Sequence, residues 1–134
     1  MVDSCNHHAQ ERDSYVIDAW KIEERTNFLS LVKQENKLSL LEIGAGTGRD
    51  SKFFQDNGPD VTCIDLSPKM VKLCLQKGLV AHKMDMTDLK FAPNSFDAAY
   101  ALNSFLHIPE AEFMTALESI KMILKPTGLF YLGV

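Results

Sequence analysis

Gly44, Gly46 and Gly48 stand at alternate positions directly after Glu42, at the end of an apolar run that starts at Leu38. An apolar run cut by glycines and followed by a helical pattern reads as a buried strand, a tight turn and a helix. Without a Cβ, the turn can adopt positive φ and let its backbone approach a bound molecule closely. The N–H groups and positive dipole end of the following helix favour a carboxylate or phosphate there. A polar ligand with an anionic part is therefore expected above this turn. The spacing is not the dinucleotide fingerprint G-x-G-x-x-G, because Arg49 occupies the place of the last glycine.

A second acid stands roughly 20 residues further on, the distance at which a carboxylate meets ribose hydroxyls in α/β nucleotide sites. It is Asp65, which closes the β-branched run Val61-Thr62-Cys63-Ile64. Two acceptor oxygens suit two vicinal hydroxyls and would repel a 2′-phosphate. The same carboxylate could instead cap the next helix, and coincidence with the glycine turn favours the first reading. Cys5, Cys63 and Cys74 are odd in number and form no C-x-x-C pair, against a disulfide framework or structural zinc site. Cys63 and Cys74 read as small buried hydrophobes. Cys5, His7 and His8 supply too few ligands for a metal clip and lie in a tract expected to fray.

Alternating strands and helices must position these groups. Residues 1–13 are polar and aperiodic, a loose arm; residues 14–134 form one domain. A helical stripe of Val16, Ala19, Trp20, Phe28, Leu31 and Val32 places a helix before the first strand, Leu38 to Ile43. Tyr15 and Trp20 read as packing residues of that helix. Gly48 to Asp56 is a helix stopped by Asn57-Gly58-Pro59. Ser67 at N-cap and Pro68 at N1 open another, with Met70, Val71, Leu73 and Cys74 on its apolar face and Gly78 at its end. Leu79 to Lys83 is a short strand before Met84-Asp85-Met86. The Pro93-Asn94 turn enters the strand Ser95 to Ala101. Pro109 opens a helix with the stripe Phe113, Leu117, Ile120 and Leu124, and Lys125-Pro126-Thr127-Gly128 turns into a last strand, Leu129 to Leu132. Such alternation implies a parallel sheet of five strands with right-handed crossovers and helices on both faces. Ligands bind beyond the carboxyl ends of these strands, where strand order reverses.

The chain has 134 residues, 46% apolar and 24% charged, an ordinary globular composition. A formal charge of −4 argues against a broad nucleic-acid footprint. No apolar run reaches membrane-spanning length and no secretory h-region opens the chain, so a cytoplasmic location is the expectation.

In order, Leu41-Glu42-Ile43-Gly44-Ala45-Gly46-Thr47-Gly48, Cys63-Ile64-Asp65-Leu66-Ser67-Pro68, Met84-Asp85, Ser95-Phe96-Asp97-Ala98 and Leu124-Lys125-Pro126-Thr127-Gly128 resemble the motifs of class I S-adenosylmethionine-dependent methyltransferases. The resemblance implies a Rossmann-like three-layer α/β/α fold with strand order 3-2-1-4-5. The family's final β-hairpin is missing after Gly133-Val134, so the edge Leu129-Phe130-Tyr131-Leu132 is expected to self-associate or meet a partner chain, or the sequence is a truncated product.

For the cofactor, S-adenosylmethionine, the resemblance implies Gly44, Ala45, Gly46 and Gly48 lining the methionine end, with Glu42 beneath it and within reach through water. It places Asp65 on the ribose, Leu66 on the adenine face, Asp85 on the adenine amino group and Met86 beside the ring. Ala101 to Asn103 would bind the amino group, partly through backbone carbonyls. Arg49 and Asp50, in the first helical turn, are either residues in surface ion pairs or cofactor contacts. His107 is the candidate base for an acceptor that loses a proton, and equally a structural hydrogen-bonding residue. Phe105 and Leu106 are an acceptor wall or helix packing. The function implied is direct in-line methyl transfer to a small-molecule acceptor. A cofactor-binding module without catalysis is the alternative, and a nicotinamide-dependent oxidoreductase a more distant one.

Overall fold

The computed structural model describes residues 19–102 and 108–133, with side chains from Glu23 onward. The arm over residues 1–13, the side chains of Tyr15, Val16, Ala19 and Trp20, and residues Asn103, Phe105, Leu106 and His107 lie outside this description. In chain order the elements are α1 (Ala19–Gln34), β1 (Ser39–Ile43), α2 (Arg49–Asp56), β2 (Asp60–Asp65), α3 (Pro68–Gln76), β3 (Val80–Lys83) and β4 (Phe96–Leu102). A 3₁₀ turn (Glu110–Glu112) then leads into α4 (Phe113–Ile123) and β5 (Leu124–Gly133).

All four strand pairings are parallel, and the sheet order is β3-β2-β1-β4-β5. β1 sits at the centre because both its faces are apolar: Leu40, Leu41 and Ile43 are buried. Alternation then sorts the side chains into two cores. Leu41, Ile43, Ile64, Ala99 and Ala101 pack with Ile120 and Ile123 of α4 on one face. Leu40, Val61, Ala98 and Tyr100 meet Phe28 and Val32 of α1 and Phe54 of α2 on the other. Cys63 and Ala81, from β2 and β3, meet Cys74 of α3. The architecture is the three-layer α/β/α sandwich expected.

Local signals explain the boundaries. Ser67 Oγ accepts from the Met70 N–H at 3.3 Å and Pro68 occupies the first turn, as the serine-proline start of α3 required. Asp97 Oδ2 accepts from the N–H groups of Leu38 and Ser39, both at 3.0 Å, and so ties the start of β1 to β4. Three details depart from the sequence reading. Leu31 is exposed and Leu29 takes the buried place beside Phe28 and Val32. Leu124 belongs to β5 rather than to the stripe of α4. Lys125-Pro126-Thr127-Gly128 is a bulge inside β5 instead of a turn before it: Phe96 pairs with Leu124 and Ala98 with Leu129, so extra residues are absorbed on one strand.

Candidate functional site

The carboxyl ends of β1, β2 and β4 converge on the glycine turn between β1 and α2. Gly44, Gly46 and Gly48 have φ of 69°, 59° and 85°, the left-handed region where a side chain is strained. Gly48 is also closely packed, since a Cβ there would meet Leu79 Cδ1 at 2.8 Å and Cys74 Sγ at 2.9 Å. The turn is held from behind. Gly44 N and Ala45 N donate to Ile64 O at 2.9 and 3.0 Å, Cys74 Sγ donates to Gly46 O at 3.4 Å, and Lys77 Nζ donates to Thr47 O at 2.7 Å.

Asp65 stands at the end of β2, half-buried, with both oxygens already used. Oδ2 accepts from Gly46 N and Oδ1 from Ser67 N, each at 2.9 Å. The carboxylate thus joins the glycine turn to the start of α3. The bond to Ser67 N matches the capping reading of the sequence. Leu66 beside it is exposed, Met86 is buried, and Asp85 is exposed with Oδ1 accepting from the N–H and hydroxyl of Thr87 at 2.9 and 2.8 Å. Ala101 is fully buried at the end of β4.

Glu42 lies beneath the turn, buried, and accepts a short hydrogen bond from Ser51 Oγ. Burial, and then the nearby Asp50 carboxylate, push its pKa well above the usual carboxylate range; contacts from Ser51 only partly offset this. α2 begins at Gly48 with no side-chain cap.

The structure adds groups that no local sequence pattern singled out. Arg25 of α1 reaches Asp50 in the first turn of α2 (Nη1 to Oδ1, 3.2 Å), both side chains largely buried, and its guanidinium lies over the Phe53 ring at 4.1 Å. For Asp50 the ion-pair reading is met by this cation from α1, with both side chains largely buried instead of at the surface. Next to Arg25, Glu24 accepts from Tyr131 Oη at 3.0 Å. Two buried polar atoms have no hydrogen-bond partner among the described residues, Arg25 Nε and Tyr100 Oη. An arginine in a helix middle and a tyrosine in an apolar strand carry no spacing signal, which is why sequence reasoning passed over them.

Taken together, a left-handed glycine turn, an uncapped helix start, a buried arginine and a carboxylate at the next strand end suit a nucleoside carrying a zwitterionic tail. No cluster suited to a metal ion occurs among the described residues, and no described helix is long and apolar enough to cross a membrane.

Comparison with known proteins bears on the same elements. Residues 41–132 match the family model of a methyltransferase domain. The chain is 31% identical over 121 residues to glycine N-methyltransferase of Rattus norvegicus, covering 75% of this chain and 41% of the rat protein. It is 34% identical over 93 residues to demethylmenaquinone methyltransferase of Paenarthrobacter aurescens, covering 66% of this chain and 35% of that protein. Among solved structures it is similar in fold to SAM-bound CalS10, an amino pentose methyltransferase from Micromonospora echinaspora, with TM-score 0.76 at 21% identity over 89% of this chain and 57% of the other. The chain spans about two fifths of the length of the glycine N-methyltransferases it matches.

Proposed function

The chain belongs to the S-adenosylmethionine-dependent methyltransferase family, and we propose that it holds this cofactor across the carboxyl ends of β1 to β4 and directs its methyl group to a small-molecule acceptor. When bound, S-adenosylmethionine supplies a methyl already activated on a sulfonium. The residues of the chain then have to bind, orient and exclude water. Gly44, Ala45, Gly46 and Gly48 line the methionine end, with Arg25 as the cation for its carboxylate and Glu42 beneath. Asp65 takes the ribose hydroxyls, while Leu66, Asp85 and Met86 surround the adenine. Ala101 and Asn103 serve the ammonium. His107, on the sequence alone, is assigned as the base for an acceptor that loses a proton. A small-molecule acceptor accords with the net charge of −4 and with the names of relatives such as demethylmenaquinone methyltransferase.

The observation that supports this reading is the Asp65 carboxylate held at 2.9 Å from Gly46 N, which sets an acidic side chain against the glycine turn. Calorimetry with S-adenosylhomocysteine tests it. Asp65→Ala removes a charged acceptor worth about 1.5–3 kcal/mol, so affinity should fall roughly ten- to hundredfold. Unchanged affinity in a folded variant would remove Asp65 from the site. Methyl release over an acceptor panel then separates an enzyme from a module that only binds, and saturable NADH binding without any response to S-adenosylhomocysteine would favour the oxidoreductase.

A further inference from the structure

Two neighbouring residues of α1 reach in different directions at the carboxyl edge of the sheet. The helix ends at the opposite edge: beyond Gln34, Lys37 Nζ donates to Thr127 O at 2.8 Å and Leu38 N donates to Asp97 Oδ2 at 3.0 Å. The first described side chains of α1 therefore stand where the strands finish. There Arg25 reaches Asp50, just past the glycine turn, while Glu24 Oε2 accepts from Tyr131 Oη at 3.0 Å near the end of β5. β4 lies between β1 and β5, so the two contacts straddle its end. A Cβ on Gly133 would stand 3.0 Å from Tyr131 Oη, which shows the phenol leaning along β5 toward its carboxyl end.

Glu24 and Tyr131 are both half-buried. Burial first, and then the bond to Glu24, push the Tyr131 pKa up to about 12, so the phenol stays a neutral donor. The carboxylate is thereby held in place without its charge being cancelled. The adjacent cation, Arg25, is engaged by Asp50 and lies over Phe53. Among the described residues no cation pairs with Glu24, and only its Oε2 has a partner. A fixed, uncompensated carboxylate partly withdrawn from water suits a positively charged group that can donate hydrogen bonds.

We propose that Glu24, held by Tyr131, seats the methyl acceptor beside the end of β5, and that this acceptor is an amine. The proposal rests on the cofactor assignment above, which uses the ends of β1 to β4 and leaves that of β5 to the acceptor. The chemistry agrees with a carboxylate there. An amine arrives as its ammonium and gives one proton to water. Its lone pair then forms the new N–C bond as the C–S bond breaks, with the electron pair of that bond staying on sulfur. Positive charge passes to the nitrogen, and Glu24 faces it both on arrival and in transfer.

NMR titration of the purified chain saturated with S-adenosylhomocysteine tests the seat, using propylamine against propanol and benzylamine against benzyl alcohol. The parent chain should bind each amine at least roughly tenfold more tightly than its alcohol, as expected for a charged hydrogen bond. In Glu24→Gln the amide oxygen still accepts from Tyr131, so the melting temperature and S-adenosylhomocysteine affinity should match the parent while the preference for amines disappears. A contact that only straps α1 to β5 would leave that preference intact in Glu24→Gln, and this result overturns the proposal. A preference kept in Glu24→Gln but lost in Tyr131→Phe overturns it as well, by assigning recognition to the phenol. Amines unbound by the parent, or bound no better than alcohols, refute the amine seat while S-adenosylhomocysteine binding leaves the cofactor assignment standing. A parent chain that does not bind S-adenosylhomocysteine refutes that assignment and the seat with it.

Discussion

Glu42 shows how one buried acid couples the site to pH. Its pKa is raised by burial first and by Asp50 second, so the folded chain keeps this proton at pH values where the unfolded chain has lost it. The sign follows from linkage: between the unfolded and folded values the native state binds more protons, and stability falls as pH rises. We expect denaturation midpoints of the parent chain to decline from about pH 4 upward relative to Glu42→Gln, in which that dependence is removed. Parallel curves for the two chains would contradict the assignment. Asp97 acts in the opposite sense. Although burial opposes ionisation, Lys125 at 3.0 Å and the N–H groups of Ser39 and Leu38 hold its pKa below the ordinary value. Its contribution is present above the unfolded pKa and is lost as pH falls through the folded one, a loss that Asp97→Asn should lack.

At the scale of elements, α3 sets the shape of the glycine turn although it contributes little to the crevice itself. Lys77 and Cys74 occupy the Thr47 and Gly46 carbonyls, and Gly48 packs against Cys74 and Leu79. Lys77→Met should therefore weaken S-adenosylhomocysteine severalfold, about 1 kcal/mol, measured by calorimetry. Gly48→Ala combines a positive φ with two contacts under 3 Å and should destabilise by about 1–3 kcal/mol in urea titration. The strands and the glycine turn were legible because each strand is an apolar or β-branched run bounded by glycine, proline or asparagine, whereas strand order came only from the family resemblance. Gly44, Gly46 and Asp65 likewise sit at strand ends, where spacing has meaning. The bulge at Lys125 to Gly128 was not legible, since Pro-Thr-Gly is equally good turn chemistry and only the register against Phe96 and Ala98 distinguishes the two. Arg25, Tyr100 and Lys77 were hidden for a related reason: their roles come from elements packed beside them, not from their own neighbours in the chain.

At the scale of the whole molecule, a ligand bound as proposed across the carboxyl ends of β1 to β4 connects segments far apart in sequence. Ligand present at about 100 times its dissociation constant adds roughly 2.7 kcal/mol to stability. For a chain of this size that is a rise of roughly ten degrees in melting temperature, readable by scanning fluorimetry with S-adenosylhomocysteine. A flat response at saturating ligand would contradict a site built from these strands. The central place of β1 has another consequence, in time. As the nascent chain leaves the ribosome, β2 can pair with β1 almost at once, yet the other side of β1 is completed only when Phe96–Leu102 emerges. Until then Leu40 and Leu41 border an open hydrogen-bonding edge, the kind of interval in which a growing polypeptide is prone to sticking and to capture by chaperones.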